Sequence, residues 1–333
     1  MTMMMTTTTS MTQMRINPQP LSDEMVSELI ETQLAVWPDA CRNFERLREC
    51  ARKNFDLGML HAAAQHNPAR IVSTGAKVDN ASIAKRPCFL CAANRPEQQI
   101  AFQWIDGWDL LVNPFPILPV HFTVASKRHE PQNRVPADIL AMAALSESLL
   151  FFFNGARAGA SAPDHLHLQA VLSAELPLIR LAEELLPADR DGILFSDDEG
   201  LELPFHFAGA VITPDAEGEL RFRRLLRVTG YDTEAGRLDP ALVNTFFWEG
   251  ADSLVRGVVV PRRAHRPSCY SLPGPDRMVI SPGAIDMTGL MIVPREEDFE
   301  RIDAATTARI YAEVAFADRI PQQIKDFVNA ARI

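Results

Sequence analysis

Apolar residues recur at helical spacing through Met25, Leu29, Leu34 and Val36 until Pro38 interrupts the run. With Ser22 and Asp23 as candidate caps, this predicts a helix from Leu21, a second from Asp39 to about Phe55, and a helical segment over 21–66. Pro68 and Ser73-Thr74-Gly75 then mark a loop. Trp108–Val112 reads as a buried strand that ends at Asn113-Pro114-Phe115-Pro116, where two prolines forbid regular pairing. Val120–Ala125 reads as another strand. Ile139, Met142, Leu145, Leu149 and Phe152 recur at spacings of three and four, which predicts a helix over Pro136–Phe153. Asn154-Gly155 ends it, Gly159–Pro163 is a tight loop, and His165–Leu172 is a strand.

Past Leu176 the organisation changes. Leu178–Leu186 is predicted as a helix and Pro187–Glu199 as a polar link. Leu203–Thr213, Leu220–Val228, Gly257–Val260 and Leu290–Val293 are predicted as strands, and Ala304–Phe316 and Pro321–Ala331 as closing helices. One internal echo exists: Val120–Val124 leads to Lys127-Arg128-His129, as Gly257–Val260 leads to Arg262-Arg263 and His265. The boundary between two lobes is placed near Arg190.

Composition narrows this picture. At 333 residues the chain is about twice the typical domain of roughly 150, so two lobes are expected. With 47% apolar and 23% charged residues, a wholly disordered chain is excluded. The net charge of −10 argues against nucleic acid or an anionic membrane as partner, yet allows a local basic site for a small phosphorylated ligand. No apolar run is long enough for a spanning helix. Met1–Met14 is Met/Thr-rich and lacks the basic and apolar regions of a signal peptide, so residues 1–20 are expected to be a disordered tail. Five Cys, an odd number, suit a reduced, cytoplasmic protein, in which a close Cys pair is first a metal candidate.

Three clusters carry candidate chemistry. In His165-Leu166-His167-Leu168-Gln169 the strand alternation puts His165, His167 and Gln169 on one face, about 6.6 Å apart in succession. The Gly159-Ala160-Ser161 loop before it offers backbone N–H groups and a hydroxyl suited to phosphate. Cys88-Phe89-Leu90-Cys91, with two distant His, would make a tetrahedral zinc site; two small buried residues or a redox pair are the other readings. Asn94-Arg95-Pro96 argues against the helix a redox pair begins. The possible His partners are His121, His129 and His165, whereas His61, His66 and His206 read as surface or core residues. Phe115, on its stiff loop, is either a flat wall for a base or a ring tucked into the core. Lys127, Arg128, Lys77 and the Asn67–Arg70 segment are either phosphate contacts or solvated ends.

Taken together, these motifs resemble the histidine-triad (HIT) superfamily, and most closely its transferase branch of galactose-1-phosphate uridylyltransferase and diadenosine tetraphosphate phosphorylase. The likeness runs through Leu111–Phe122 and through Asn154-Gly155…His165-Leu166-His167-Leu168-Gln169, and covers about Asn67 to Val171. It implies an α+β fold with duplicated antiparallel-sheet lobes and packed helices: a catalytic lobe over 67–190 and a non-catalytic one over 191–333. His167 would be the nucleophile that takes the nucleotidyl group. Gln169, Ser161 and Asn154 would hold phosphoryl oxygens, and Asn113, Phe115 and Leu90 the base and ribose. Cys88, Cys91, His129 and His165 would bind a structural zinc. Ala162-Pro163-Asp164 departs from the Asn-Pro or Gln-Pro that often precedes the first His, and the second half has no His-x-His. Arg262, Arg263 or His265 could add acceptor contacts.

The implied activity is nucleotidyl transfer from a nucleoside diphosphate sugar or dinucleoside polyphosphate to phosphate or a sugar phosphate, by a monomer or homodimer. Gln169 stands where the hydrolases carry a third His. An amide cannot shuttle a proton, so an anionic acceptor suits the site better than water. The alternatives are a nucleotide hydrolase and a non-catalytic nucleotide-binding zinc protein.

Overall fold

The computed structural model describes residues 4–8, 11–15, 20–75 and 79–330. In chain order the strands are β1 (Met4–Thr8), β2 (Met11–Arg15), β3 (Arg52–Leu57), β4 (Leu60–His66), β5 (Ala101–Gln103), β6 (Trp108–Val112), β7 (His121–Ser126) and β8 (Leu149–Asn154). They continue as β9 (His167–Leu172), β10 (Leu194–Phe195), β11 (Ala208–Ile212), β12 (Gly230–Asp232), β13 (Arg237–Asp239), β14 (Val243–Glu249), β15 (Val255–Pro261) and β16 (Leu290–Val293). The helices are α1 (Asp23–Val36), α2 (Pro38–Leu47), α3 (Ile71–Thr74), α4 (Asn80–Ile83) and α5 (Asp138–Ala144). After them come α6 (Pro177–Leu185), α7 (Ala216–Leu225), α8 (Glu296–Arg301), α9 (Ala304–Val314) and α10 (Gln322–Asn329).

The architecture is mixed α+β, built on one eleven-stranded sheet in the order β1-β2-β5-β6-β7-β9-β8-β14-β15-β11-β10. Every pairing in it is antiparallel except β2 with β5. The two halves meet at β8 and β14, where Phe152 lies opposite Phe246. Where separate sheets were expected in two lobes, the halves share one. Its centre is apolar on both faces: Phe151, Phe153 and Phe247 point into one core and Phe152, Phe246 and Trp248 into the other. The first core is closed by residues of α1, α5, α7 and α10. The second is closed by α6, α9 and the three-stranded sheet β16-β4-β3. No helix among the described residues is long and apolar enough to cross a membrane.

Several expectations are corrected. The helical reading of 21–66 holds for α1, whose Met25 N–H donates to Ser22 Oγ at 3.3 Å, and for the shorter α2. Residues 52–66 instead form the hairpin β3–β4. Gly58 makes its two-residue turn at φ 67°, and Leu60, Ala62 and Ala64 alternate into the core. The helix predicted over Pro136–Phe153 stops at Ala144, because Leu149–Phe153 is buried on both sides as a central strand, a pattern that helical spacing mimics. Leu220–Val228 falls largely in α7 and not a strand: Asp215 caps that helix, accepting from Gly218 N–H at 2.8 Å, and Arg221, Phe222 and Leu225 face inward. Met4–Thr8 and Met11–Arg15, expected in a tail, form β1 and β2 at the sheet edge.

Candidate active site

A cavity of about 860 Å³ opens against the β7–β9–β8 part of the sheet. The first half contributes Leu90, Phe115, Asn154, Ser161, His167 and Gln169 to its lining; the second contributes His265, Arg266, Gly283 and Asp286.

His167 is the first residue of β9, and its backbone is held by a side chain. Its N–H donates to Gln132 Oε1 and its carbonyl accepts from Gln132 Nε2, both at 2.8 Å. Gln132 Nε2 also donates to the Asn154 carbonyl at 3.0 Å, tying β8 to β9 beside the cavity. Nothing in the sequence marks this buried glutamine, which sits in an ordinary polar loop. The His167 ring donates Nδ1–H to the His165 carbonyl at 2.8 Å, so Nε2 carries the free lone pair. Burial lowers its pKa to about 4, which keeps the imidazole neutral at pH 7.

Gln169 is oriented by a chain of donors. Ile117 N–H donates to His121 Nδ1 at 3.2 Å, so the proton of that neutral ring sits on Nε2 and is donated to Gln169 Oε1 at 2.8 Å. With Oε1 engaged, the NH₂ group of Gln169 is the end left for a ligand. His121 is fully buried, and its pKa falls to about 3 through burial and the nearby Arg70 charge. Asn154 repeats the device: its Oδ1 accepts from Ala284 N–H at 2.7 Å and Asn244 Nδ2 at 3.2 Å, leaving its NH₂ group on the cavity side. Gly159, at φ 98°, lets the loop pass close to the second half. A Cβ there would meet Gly283 Cα at 2.4 Å.

The expectation that His165 shares a strand face with His167 and Gln169 is corrected. His165 precedes the strand and turns to the cysteines instead. Its Nδ1 lies 3.3 Å from Cys88 Sγ and 3.6 Å from Cys91 Sγ, while Nε2–H donates to the Ser126 carbonyl at 2.8 Å. His129 Nδ1 lies 3.2 Å from Cys91 Sγ. The donor atoms of Cys88, Cys91, His129 and His165 all fall within 4.8 Å of one another, and this group could hold a metal ion. The Cys turn is pinned by Arg95, which donates Nε (2.9 Å) and Nη2 (2.7 Å) to the Leu90 carbonyl and pairs with buried Asp109 at 2.7 Å. His121, the third possible zinc partner, is the one the cluster does not use.

Among the remaining sequence candidates, Leu90, Phe115, Ser161 and Asn113 line the cavity. Asn113 is bound within its own turn, however: Nδ2 donates to Thr123 Oγ1 at 3.1 Å and Oδ1 accepts from Phe115 N–H at 2.9 Å. Its role is to shape the turn that presents Phe115. Lys127 and Arg128 are exposed beyond the end of β7 and do not line the cavity. Lys77 lies outside the described residues. The cations of the cavity are Arg70, Arg86 and Arg266, which the sequence reading left aside or undecided. Arg86 is held by Asp164 at 2.9 Å, which gives Asp164 its place. Arg262 is fully buried and bonds the Asn244 side chain and the Val314 carbonyl, so it is a core strut and not an acceptor contact.

Residues 29–172 match a family model described as a domain of unknown function, DUF4922. No curated protein matches the chain. Among solved structures it is similar to yeast Ap4A phosphorylase Apa2 in complex with AMP, at 15% identity and a TM-score of 0.51, covering 85% of this chain and 96% of that one. The same enzyme in complex with Ap4A aligns at 14% identity and a TM-score of 0.49, over 84% and 97%. The likeness is one of fold.

Proposed function

We propose that this protein is a HIT-like nucleotidyltransferase of the phosphorylase type, acting on a dinucleoside polyphosphate or a nucleoside diphosphate sugar. The observation that carries the reading is the pairing of a neutral His167, its Nε2 free, with the fixed amides of Gln169 and Asn154 in one cavity. In the first step the Nε2 lone pair bonds the α-phosphorus and the P–O bond to the leaving phosphate breaks, its electron pair departing on oxygen. Nδ1–H stays on the His165 carbonyl, which stabilises the charged ring. The amide N–H groups of Gln169 and Asn154 face the charge on the phosphoryl oxygens. In the second step an acceptor phosphate oxygen attacks, the N–P bond breaks, and the imidazole returns neutral. Both leaving group and acceptor are anions, so no proton shuttle is needed, in keeping with an amide at position 169. Phe115 and Leu90 would flank the base.

Cys88, Cys91, His129 and His165 would hold zinc. A tetrahedral zinc with bonds of about 2.3 Å to sulfur and 2.0–2.1 Å to nitrogen sets neighbouring donors about 3.4–3.8 Å apart. Of the sulfur–nitrogen separations, 3.6 Å falls inside that frame and 3.2 and 3.3 Å fall just short of it. Four protein ligands leave no open position, so the metal would tie the Cys turn to the segment that leads into β9 and take no part in the chemistry. The strand order also supports an ancestral duplication, since, apart from the separate β12–β13 hairpin of the second half, each half runs strand-strand-helix-strand-strand in chain order: β6, β7, α5, β8, β9 and β10, β11, α7, β14, β15.

The test is incubation with Ap4A or a nucleotide sugar without acceptor. The protein should gain the mass of one nucleoside monophosphate, and adding phosphate or a sugar phosphate should discharge it. His167→Gly should form no adduct yet bind AMP within about tenfold, or 1.4 kcal/mol. An active His167→Gly variant refutes the covalent route, and fast monophosphate release without acceptor replaces transfer by hydrolysis.

A further inference from the structure

The cavity contains a half-buried cation that the reaction just described does not use. Arg70 ends the short 3-10 turn Pro68–Arg70, which is fastened on both sides. Asn67 Nδ2 donates to the Pro116 carbonyl at 3.1 Å and Asn67 N–H to the Val293 carbonyl at 3.1 Å, while Gln65 Nε2 donates to the Ile117 carbonyl at 3.0 Å. The Arg70 backbone is therefore set between the Phe115 turn and β16. Its Nη1 donates to the Phe115 carbonyl at 2.9 Å, and no carboxylate among the described residues forms an ion pair with it. The acid whose field it feels most is Asp286, but that carboxylate is taken by backbone: Oδ1 accepts from Ile292 N–H at 2.7 Å and Oδ2 from Gly283 N–H at 2.9 Å. The other acid of the lining, Asp39, pairs with Arg42.

A partly desolvated guanidinium that lines a cavity without an ion pair is open to an anion, and its fork of donors matches a phosphate. Burial draws Arg70 down to about 10, so it remains a cation at neutral pH. Its charge is also felt at His121, the ring that holds Gln169. Arg266, across the cavity, is steadied by Ser281 Oγ at 3.0 Å and by the Tyr270 ring at 4.1 Å, and adds a second positive charge.

We propose that Arg70 anchors a second anion subsite in this cavity, which takes the phosphate group of the acceptor. That the occupant is an acceptor rests on the transfer reading; that it is a phosphate or phosphomonoester rests on the unpaired guanidinium. By microscopic reversibility the same subsite takes the phosphate of the leaving group. Free phosphate and a sugar phosphate share the anionic group, and the two are separated by experiment.

The purified chain is titrated calorimetrically with orthophosphate, with a hexose 1-phosphate and with AMP, alongside Arg70→Gln and Arg70→Lys. At least one of the first two should bind the unaltered protein saturably, and the tighter identifies the acceptor. Arg70→Gln should weaken that anion tenfold or more and leave AMP within threefold. Arg70→Lys, which keeps the charge and loses the fork, should fall between them. Should Arg70→Gln fail to fold, the lysine variant decides: a loss of threefold or more supports the subsite. The proposal is overturned if the unaltered protein binds neither anion, or if a folded Arg70 variant binds it as tightly as the unaltered chain. The readout is binding, so it separates the two readings. Phosphate binding that needs Arg70 in a protein that forms no adduct leaves the subsite and removes the transfer; adduct formation with phosphate binding indifferent to Arg70 does the reverse.

Discussion

His121→Phe should remove the control over Gln169 while filling most of the space. His121 is fully buried and stacks on Phe152 with ring centroids 6.5 Å apart, so a phenyl ring suits the site. The substitution deletes the bonds at 3.2 Å from Ile117 N–H and at 2.8 Å to Gln169 Oε1. A buried N–H left without a partner costs about 1–3 kcal/mol and the second bond about 0.5–1.5, so stability should fall by roughly 2–4 kcal/mol. The effect on turnover is separate. Gln169 becomes free to turn its carbonyl toward the phosphoryl group, and losing one fixed donor to a developing charge is worth about 10²–10³ in rate. Transfer measured on folded protein should show kcat reduced by that order with KM little changed. Gln169→Ala should cost about the same, and the double variant little more than either.

The acid limb of stability supplies an independent readout. The folded pKa of His121 is about 3, against an ordinary value of about 6.5, so the unfolded chain binds the extra proton first. The stability this ring contributes is present above pH 6.5 and is lost as pH falls toward 3, by up to about 5 kcal/mol over the full interval. His121→Phe should flatten that limb in denaturant titrations at stepped pH. A folded His121→Phe variant with kcat within twofold of the unaltered protein, or with effects that simply add to those of Gln169→Ala, refutes the reasoning.

Two further predictions concern the frame of the site. Gly159→Ala places a Cβ 2.4 Å from Gly283 Cα at a left-handed φ of 98°, so it should destabilise by at least about 2 kcal/mol and weaken AMP binding by displacing the loop at Ala284 that orients Asn154; an unchanged melting temperature contradicts this. Purified protein should carry one zinc per chain, and Cys88→Ser should lose the metal and lower the melting temperature more than it alters the rate per folded molecule; a zinc-free protein with normal melting and activity excludes the structural zinc.

The parts of the site that could be read from the chain are those set by short spacing. Cys88 and Cys91, three positions apart on one turn, meet whatever surrounds them, and His167 and Gln169 share a strand face because the backbone alternates. Spacing failed where a neighbour decided the outcome. His165 lies two residues before His167, but β9 begins only at His167, and the Ser126 carbonyl turns the His165 ring to the thiols. For Lys127 and Arg128, whose place after β7 allowed either a phosphate contact or a solvated end, the structure gives the exposed end, away from the cavity lining.

The sequence by itself determined the strands β6, β7 and β9, the helices α1, α6, α9 and α10, and the donor types of both clusters, since these follow from local periodicity and residue chemistry. Only the tertiary structure decided that Leu149–Phe153 is a central strand and not the end of a helix, because burial on both faces erases the alternation that marks a strand. It also decided which ends of the Gln169 and Asn154 amides face the cavity, through donors 48 and 130 residues away. It placed Gln132 behind His167, at a separation of 35 residues, and brought Arg70 and Arg266 to a common cavity. Each of these is a long-range hydrogen bond or a charge placed by packing, and no local pattern encodes the partner of a buried polar group.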